Sequence, residues 1–316
     1  MSARPLTMLR PPDRAVRSSI LLSTRVLPRA LRVPLRRDLL ARLEMARARR
    51  ADLLVVNHPK CGTTWFRVMI SRLYQHRYGI PGSIVAKSDE LARRHPAIPH
   101  ILSTNGHYSY ERVVGDALDA DGPRTDLHEK RVVLLVRNPC DIVVSWYFQF
   151  TKRQSAYKNE LINADLARPV ERERVDMWDF VKNDELGLPH LIEFFNRWER
   201  NLARVEHSIV VRYEELRVDP LPSLRRVGAL IGEEFSEEEL AEARDFGSFE
   251  NLRKLESEGY FRYGGLTLRN ANDPETFKVR RGKVGGYRDY FDEDQVAEME
   301  AMVATRLSPS LGYSGE

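Results

Sequence analysis

From residue 51 onward, short apolar runs alternate with longer stretches in which apolar residues recur at helical spacing. Runs of strand length cover residues 52–56, 100–104, 131–136 and 208–212. Stretches with helical periodicity cover residues 63–77, 140–152, 188–205, 221–231, 237–246 and 293–307. Strands and helices that alternate in this way predict an α/β fold, in which a central parallel sheet carries helices on both faces.

Two long segments, residues 153–187 and 254–290, mix charges, glycines and aromatic residues without clear periodicity. We interpret them as irregular binding loops, because long loops without regular structure are uncommon in an α/β domain unless they carry function. The pattern as a whole predicts one domain over residues 51–316, preceded by a separate segment over residues 1–50.

The segment over residues 1–50 differs from the rest of the chain in charge. It holds 13 arginines and three acids, a net charge of +10, so residues 51–316 carry −6 of the total of +4. Because that larger part is acidic, we do not expect nucleic acid as a partner. Three interpretations of the segment stay open: helices packed on the domain, a peripheral contact with an anionic membrane surface, and an organelle transit peptide.

The cysteine content and the hydropathy of the chain indicate the cellular compartment of the protein. The two cysteines, Cys61 and Cys140, are too few for a disulfide framework and indicate a reducing compartment. No apolar run approaches the ~18 residues of a membrane-spanning helix. We therefore expect a cytoplasmic protein, with membrane association through residues 1–50 as the open alternative.

The first chemical signal is the stretch NHPKCGTTW, residues 57–65, directly after an apolar run. A Walker A loop places its lysine just after the second glycine, whereas here Gly62 is followed by Thr63 and Lys60 comes two residues earlier. A turn from a buried strand into a helix still directs free N–H groups at an anion. The stretch therefore predicts a phosphate-binding loop of another kind, with a lysine at its mouth and Trp65 available to an adenine ring.

Two further stretches carry groups that suit phosphate. In VVLLVRNPCDIVVSWYFQF, residues 132–150, Arg137 ends a buried run and Ser145 lies about two turns into the next helix. In FKVRRGKVGGYRDYF, residues 277–291, four cations lie among three glycines, which suits a basic flap over a phosphate.

These three stretches, in this order, resemble the sulfotransferases that use 3′-phosphoadenosine 5′-phosphosulfate (PAPS), the family of the cytosolic-type sulfotransferase domain. The resemblance extends over about residues 52–291 and implies a P-loop-like three-layer fold. It also implies PAPS as co-substrate and transfer of a sulfuryl group to a hydroxyl acceptor, without a required metal. The residues that it implies for donor binding are Lys60, Cys61, Gly62, Thr63, Thr64, Trp65, Arg137, Ser145, Tyr213, Ser248, Phe249, Arg280, Arg281 and Gly282.

The same resemblance implies two catalytic residues. His107, in ILSTNGHYSY, matches the general base, and Lys60 matches the residue that stabilises the leaving phosphate. His100 and His58 are the competing candidates for the base. Several positions depart from the family pattern: Cys61 replaces a serine, Asn105 and Arg281 each replace a lysine, Gly286 replaces an acid and Tyr287 replaces a tryptophan. We expect Cys61, at a helix N-terminus in a basic loop, to have a lowered thiol pKa.

The acceptor is predicted only by the aromatic residues of the variable loops, which suit an apolar or lipid-like compound. Those residues are Tyr108, Tyr110, Tyr147, Phe148, Tyr157, Trp178, Tyr260, Phe261 and Tyr263. Two other functional classes remain open. One is a P-loop phosphotransferase or NTPase, and the other is a non-catalytic, membrane-associated member that binds nucleotide through the same loops.

Overall fold

The computed structural model describes residues 11–83, 85, 89–106, 109–261 and 283–313. Its centre is a sheet of four parallel strands in the order β2-β1-β3-β4. The strands are β1 (Leu53–Asn57), β2 (Ile101–Thr104), β3 (Arg131–Val136) and β4 (His207–Arg212). Each predicted strand is confirmed to within one residue at either end, and so is the parallel arrangement.

Helices surround this sheet, as the α/β pattern predicts. In chain order they are α1 (Asp13–Ser23), α2 (Arg29–Arg50), α3 (Thr63–Tyr78), α4 (Arg112–Ala117), α5 (Pro139–Phe148), α6 (Ala156–Asn163), α7 (Met177–Lys182), α8 (Leu188–Leu202), α9 (Tyr213–Val218), α10 (Pro220–Ile231), α11 (Glu237–Phe246), α12 (Phe249–Ser257) and α13 (Glu293–Arg306). The six helices predicted from periodicity are all present as α3, α5, α8, α10, α11 and α13.

The inner strands are apolar because helices cover them. All five residues of β1 are buried, as are five of the six residues of β3. Parallel strands buried on both faces have this nearly continuous apolar character. Since the four strands run in one direction, the loops that follow β1, β2 and β3 lie at the same edge of the sheet.

The interpretation of residues 153–187 as irregular was wrong. The segment contains α6 and α7, and α5 continues into it through a π-helical turn over Gln149–Arg153. These helices of six and eight residues span barely two turns, which is too short for apolar spacing to reveal them. The local signal for α7 is its cap, because the Asp176 carboxylate accepts from the Trp178 N–H at 2.8 Å.

The N-terminal segment forms two helices, α1 and α2, that contact the rest of the chain. The α2 helix contacts α4, α6 and the turn at Ser109–Glu111. Leu40 and Glu44 of α2 are each only 1% exposed. On the side of α6, Arg36 pairs with Glu160 at 3.3 Å. The two helices therefore share buried surface with the elements that follow them.

This packing predicts a clear difference between two leucines of the same helix pair. Leu40→Ala should lower the free energy of unfolding by about 2–5 kcal/mol, because it leaves a cavity in buried surface. Leu22→Ala, at a position 71% exposed, should change it by less than about 0.5 kcal/mol. Urea denaturation of the full chain measures both values, and equal small effects would mean that α2 does not pack as described.

Candidate active site

A cavity of about 370 Å³ opens at the carboxyl edge of the sheet. Its lining comes from the loop after β1, the segments after β2 and β3, and the helices α5, α6 and α12. In open α/β sheets, ligands bind at this edge, just outside the carboxyl ends of the strands. This cavity is therefore the candidate ligand site of the protein.

The loop between β1 and α3 is shaped by two left-handed residues, Lys60 (φ 84°) and Gly62 (φ 86°). A Cβ on Gly62 would lie 2.5 Å from the ring of Tyr213, so only glycine allows the ring to pack there. Lys60, Gly62, Thr63 and Thr64 all line the cavity. Among the non-glycine residues that the structure describes, only Lys60 and Ser109 have positive φ, and both line it.

The start of α3 offers unused hydrogen-bonding groups to an anion. Gly62 is the N-cap and has no side chain that could accept a hydrogen bond from the first-turn N–H groups. The Thr63 hydroxyl is buried and has no partner among the residues that the structure describes. A buried hydroxyl at a helix N-terminus that lines a cavity fits a phosphate or sulfate oxygen.

Arg137 connects this loop to the end of β3. Its guanidinium donates to the Lys60 carbonyl at 3.3 Å, lies 3.4 Å from the Asp141 carboxylate and covers the Tyr213 ring at 4.4 Å. Its Nε is buried without a partner within the described part of the chain. Ser145, two turns into α5, lines the same cavity. Both predicted residues, Arg137 and Ser145, thus line the cavity. The Nε–H of Arg137 remains available to donate a hydrogen bond.

Aromatic residues form a separate part of the wall. The Trp65 indole donates to the Gly247 carbonyl at 2.6 Å, and its ring meets Tyr213 edge-on with 5.5 Å between centroids. Arg217 lies 5.7 Å from the Trp65 ring and 5.9 Å from the Phe249 ring. All four side chains belong to residues that line the cavity. Flat faces beside a cation suit a purine base.

Two of the described residues that were predicted to bind PAPS do not line the cavity. Ser248 is the N-cap of α12, where its hydroxyl accepts from the Asn251 N–H at 3.3 Å. Cys61 is fully buried in the core cluster, and burial raises the pKa of its thiol. The expectation of a lowered pKa was wrong, because loss of hydration outweighs the positive charge of Arg137. The thiol is not a reactive group of the cavity.

Asp141 is a site residue that sequence reasoning missed, whereas Lys283 is one of the four cations of the predicted basic flap. The Asp141 carboxylate accepts from the backbone N–H groups of Gly285 (3.0 Å) and Tyr287 (3.2 Å). It thereby attaches residues 283–290 to α5 and brings Lys283 to the cavity. The available signal was a lone acid within the otherwise apolar helix PCDIVVSWYF.

Glu111 was also missed, and it fixes the segment after β2. Its carboxylate accepts from the Asn105 backbone N–H at 3.2 Å and from the Asn105 side-chain amide. The side-chain oxygen Oδ1 of Asn105 in turn accepts a hydrogen bond from the side-chain amide of Asn57 at 3.4 Å. This chain of polar groups joins the end of β1 to the turn that follows β2.

The structure places two of the three candidates for the general base. His107 lies outside the described residues, but Asn105 and Ser109 on either side of it line the cavity. His58 is fully buried between the rings of Trp146 and Phe194, and His100 precedes β2 at the opposite edge of the sheet. Neither competitor lines the cavity. The predicted flap residues Arg280, Arg281 and Gly282 also lie outside the described residues.

The fold is α/β, with a cavity at the carboxyl edge of its parallel sheet, and comparison with known proteins identifies the family. A family model described as the sulfotransferase domain matches residues 50–310. The chain therefore belongs to the sulfotransferase family and is an enzyme of its PAPS-dependent class.

Individual relatives are distant but cover most of the chain. Cytosolic sulfotransferase 14 of Arabidopsis thaliana is 26% identical over 289 residues, covering 82% of this chain and 76% of that protein. Flavonol 3-sulfotransferase of Flaveria bidentis is 20% identical over 272 residues, covering 81% of each chain.

Two solved structures are similar in fold. Mouse sulfotransferase SULT7A1 complexed with PAP has a TM-score of 0.52 and 18% identity, covering 81% of this chain and 84% of that one. Retinol dehydratase in complex with androsterone and PAP has a TM-score of 0.52 and 17% identity, covering 79% of both. These likenesses confirm the predicted P-loop-like fold.

The contact between Gly62 and Tyr213 predicts the effect of a single methyl group. Gly62→Ala should weaken the binding of adenosine 3′,5′-bisphosphate by about tenfold or more, because both the turn and the ring must shift. Gly79→Ala is the matched control, since Gly79 also has a positive φ (62°) but nothing within 4 Å of its added Cβ. Calorimetry gives both dissociation constants, and equal values would remove the role assigned to this contact.

Proposed function

We propose that this protein transfers a sulfuryl group from PAPS to the hydroxyl of a small-molecule acceptor, with the donor held by the loop between β1 and α3. The observation that carries this proposal is the convergence, in one cavity, of that loop, Arg137 and an aromatic wall. The structural relatives complexed with PAP support the same reading. PAPS supplies the activated sulfuryl group, and the protein supplies binding and proton transfer.

Three groups of residues would bind three parts of the donor, PAPS. Lys60, Gly62, Thr63 and Thr64 would hold the 5′-phosphosulfate through first-turn N–H groups, hydroxyls and the lysine ammonium. Arg137 and Ser145 would hold the 3′-phosphate, because the Arg137 Nε remains available for an acceptor oxygen.

The adenine contact would be aromatic. Trp65, Tyr213 and Phe249 would enclose the ring, with Arg217 beside it. Arg280, Arg281 and Gly282 would close the site, as in the family flap. Cys61 and Ser248, by contrast, would not contact PAPS. Their side chains would only hold in place the backbone of the neighbouring residues that bind it.

Catalysis would rest on His107 and Lys60. A neutral imidazole can accept the acceptor proton near neutral pH, since its unperturbed pKa is about 6.5. The Lys60 ammonium would stabilise the negative charge that develops on the leaving phosphate. The position of Asn105 and Ser109 on the cavity wall supports this role for the residue between them.

A turnover assay distinguishes the proposed enzyme from a protein that binds the nucleotide without catalysing a reaction. His107→Ala should lower kcat about 10²–10⁴-fold with an aliphatic alcohol acceptor, while the affinity for the bisphosphate changes little. Lys60→Ala should lower both turnover and affinity, because its charge faces the donor. Label transfer from PAPS gives the rates, with His95→Ala as a control outside the cavity. Normal turnover of the His107→Ala variant would show that His107 is not the general base.

The donor itself is tested by binding in EDTA. We expect adenosine 3′,5′-bisphosphate to bind without added metal and more tightly than ATP, because side-chain and backbone donors neutralise both phosphates. Binding that requires Mg²⁺, or a preference for ATP, would favour a P-loop phosphotransferase or NTPase instead.

We also propose a peripheral membrane contact at the turn between α1 and α2. Leu22, Val26, Leu31 and Leu35 are exposed there by 71%, 86%, 61% and 42%. Residues 14–37 include seven arginines and no acid. Apolar side chains among arginines complement an anionic lipid surface. Within the described residues, no helix is long and apolar enough to cross a membrane.

Replacing two of these side chains tests the contact. The double variant Leu22→Ser, Val26→Ser should lose most of its binding to vesicles of mixed phosphatidylserine and phosphatidylcholine, yet keep its unfolding free energy and turnover. The control Val218→Ser, at a residue 90% exposed elsewhere, should bind as the unaltered chain does. Absence of vesicle binding by the unaltered chain would contradict the proposed contact.

A further inference from the structure

The helix α6 presents different residues to the cavity and to the N-terminal helices α1 and α2. Lys158 and Ile162, four positions apart and so on one face of the helix, line the cavity. Tyr157, Glu160 and Leu161 lie on another face, where a hydrogen bond, ion pairs and apolar packing join them to α1 and α2. One helix thus connects the cavity wall to the segment before residue 51.

Glu160 connects α6 to α2 through two arginines one turn apart. Arg32 donates to both oxygens of the Glu160 carboxylate, at 3.2 and 2.5 Å, and Arg36 donates to one of them at 3.3 Å. The hydrogen bond from Arg32 holds the pKa of Glu160 below its ordinary value, so the carboxylate is charged at neutral pH. Its charge also offsets the repulsion between two arginines that lie four positions apart on one helix.

Arg36 makes this connection sensitive to loss of the carboxylate. Its side chain is only 6% exposed, and it also donates to two neutral groups, the Thr24 hydroxyl at 2.9 Å and the Leu21 carbonyl at 3.5 Å. Removing one partner of a buried charge pair leaves the other charge poorly compensated, which costs more than the pair itself contributes. Loss of the Glu160 charge should therefore move α2, α6 or both.

An apolar cluster joins the same helices to the turn that follows β2. It consists of Val33 and Leu40 of α2, Tyr110 of the turn at Ser109–Glu111 and Leu161 of α6, and none of these residues is more than 8% exposed. Tyr110 also lines the cavity. The position of the turn therefore depends on α2 and α6 together.

The cavity face of α6 lies against that turn. The Lys158 ammonium is 3.8 Å from the Glu111 carboxylate and 5.8 Å from the centre of the Tyr110 ring. Glu111 in turn accepts a hydrogen bond from the Asn105 backbone N–H at 3.2 Å. A shift of α6 would therefore reach, through direct contacts, the segment that carries the proposed base.

We propose that Glu160 is a positioning residue of the active site, through which α2 fixes the cavity wall beside the proposed base. The family model matches residues 50–310, so this support comes from a helix that precedes the family domain. The residues assigned to the donor belong to other elements: the loop after β1 with the start of α3, the end of β3, α5, α9 and α12. Glu160 should thus affect use of the acceptor and leave donor binding intact. The kinetic part of this inference rests on the proposed function.

Removing only the charge of Glu160 tests the inference. Glu160→Gln should lower kcat/KM for 2-naphthol, a flat apolar phenol, by about tenfold or more, because a displaced wall no longer aligns the acceptor with the donor. The Kd of adenosine 3′,5′-bisphosphate, measured by calorimetry, should change by less than about twofold. Glu160→Asp, which keeps the charge, should retain a larger share of kcat/KM than Glu160→Gln does.

Glu242→Gln is the matched control. Glu242 of α11 pairs with Arg72 of α3 in another partly exposed ion pair between helices, and neither residue lines the cavity. Its loss should change neither kcat/KM nor the affinity for the bisphosphate. Equal losses of kcat/KM in the two variants would indicate a general effect of a missing ion pair and would overturn the inference.

Hydrogen exchange followed by mass spectrometry gives a readout that does not depend on turnover. In Glu160→Gln, amide exchange should become faster in residues 156–163 and 109–117, whereas residues 63–78 should exchange as in the unaltered chain. Unchanged exchange in the first two segments, or a normal kcat/KM, would overturn the inference. If the unaltered chain transfers a sulfuryl group to no hydroxyl compound, the proposed function fails, and hydrogen exchange alone decides whether Glu160 positions this wall.

Discussion

The left-handed turn at Gly62 is the constraint on which the site depends. It allows the Tyr213 ring to approach within a distance that any side chain would block, and it directs the start of α3 into the cavity. The same ring receives Arg137 on its face and Trp65 at its edge. One glycine therefore sets the relation between the anion-binding loop, the arginine after β3 and the aromatic wall.

The opposite wall of the cavity depends on α2 and α6. Arg32 and Arg36 of α2 bind Glu160, and Arg37 lies 2.7 Å from Asp165 just beyond α6. The contacts of α2 extend to the turn at Ser109–Glu111, which carries Tyr110 and Glu111 to the cavity. The positively charged helices thus bear on the shape of this wall of the cavity, while their apolar residues near residue 26 are exposed.

The fold was largely predictable because strong local patterns agree with it. The buried strands are continuous apolar runs, and the motif NHPKCGTTW identifies the turn that follows the first of them. The sequence could not predict the strand order, since periodicity carries no information about which strands are neighbours. It also could not reveal Glu111 and Asp141 as organising residues, because each acts on backbone N–H groups brought close only by folding. The expectation for Cys61 was wrong for the opposite reason: the motif suggested a thiol of lowered pKa, and tertiary packing buries that thiol.

A crystal structure with adenosine 3′,5′-bisphosphate tests the central claim most directly, because it locates both phosphates relative to the same loop. The account predicts the 5′-phosphate within hydrogen-bonding distance of the Thr63 hydroxyl and the first-turn N–H groups of α3. It also predicts the 3′-phosphate at Arg137 and Ser145, with adenine beside Trp65. A nucleotide bound with its 5′-phosphate away from this loop would contradict the account.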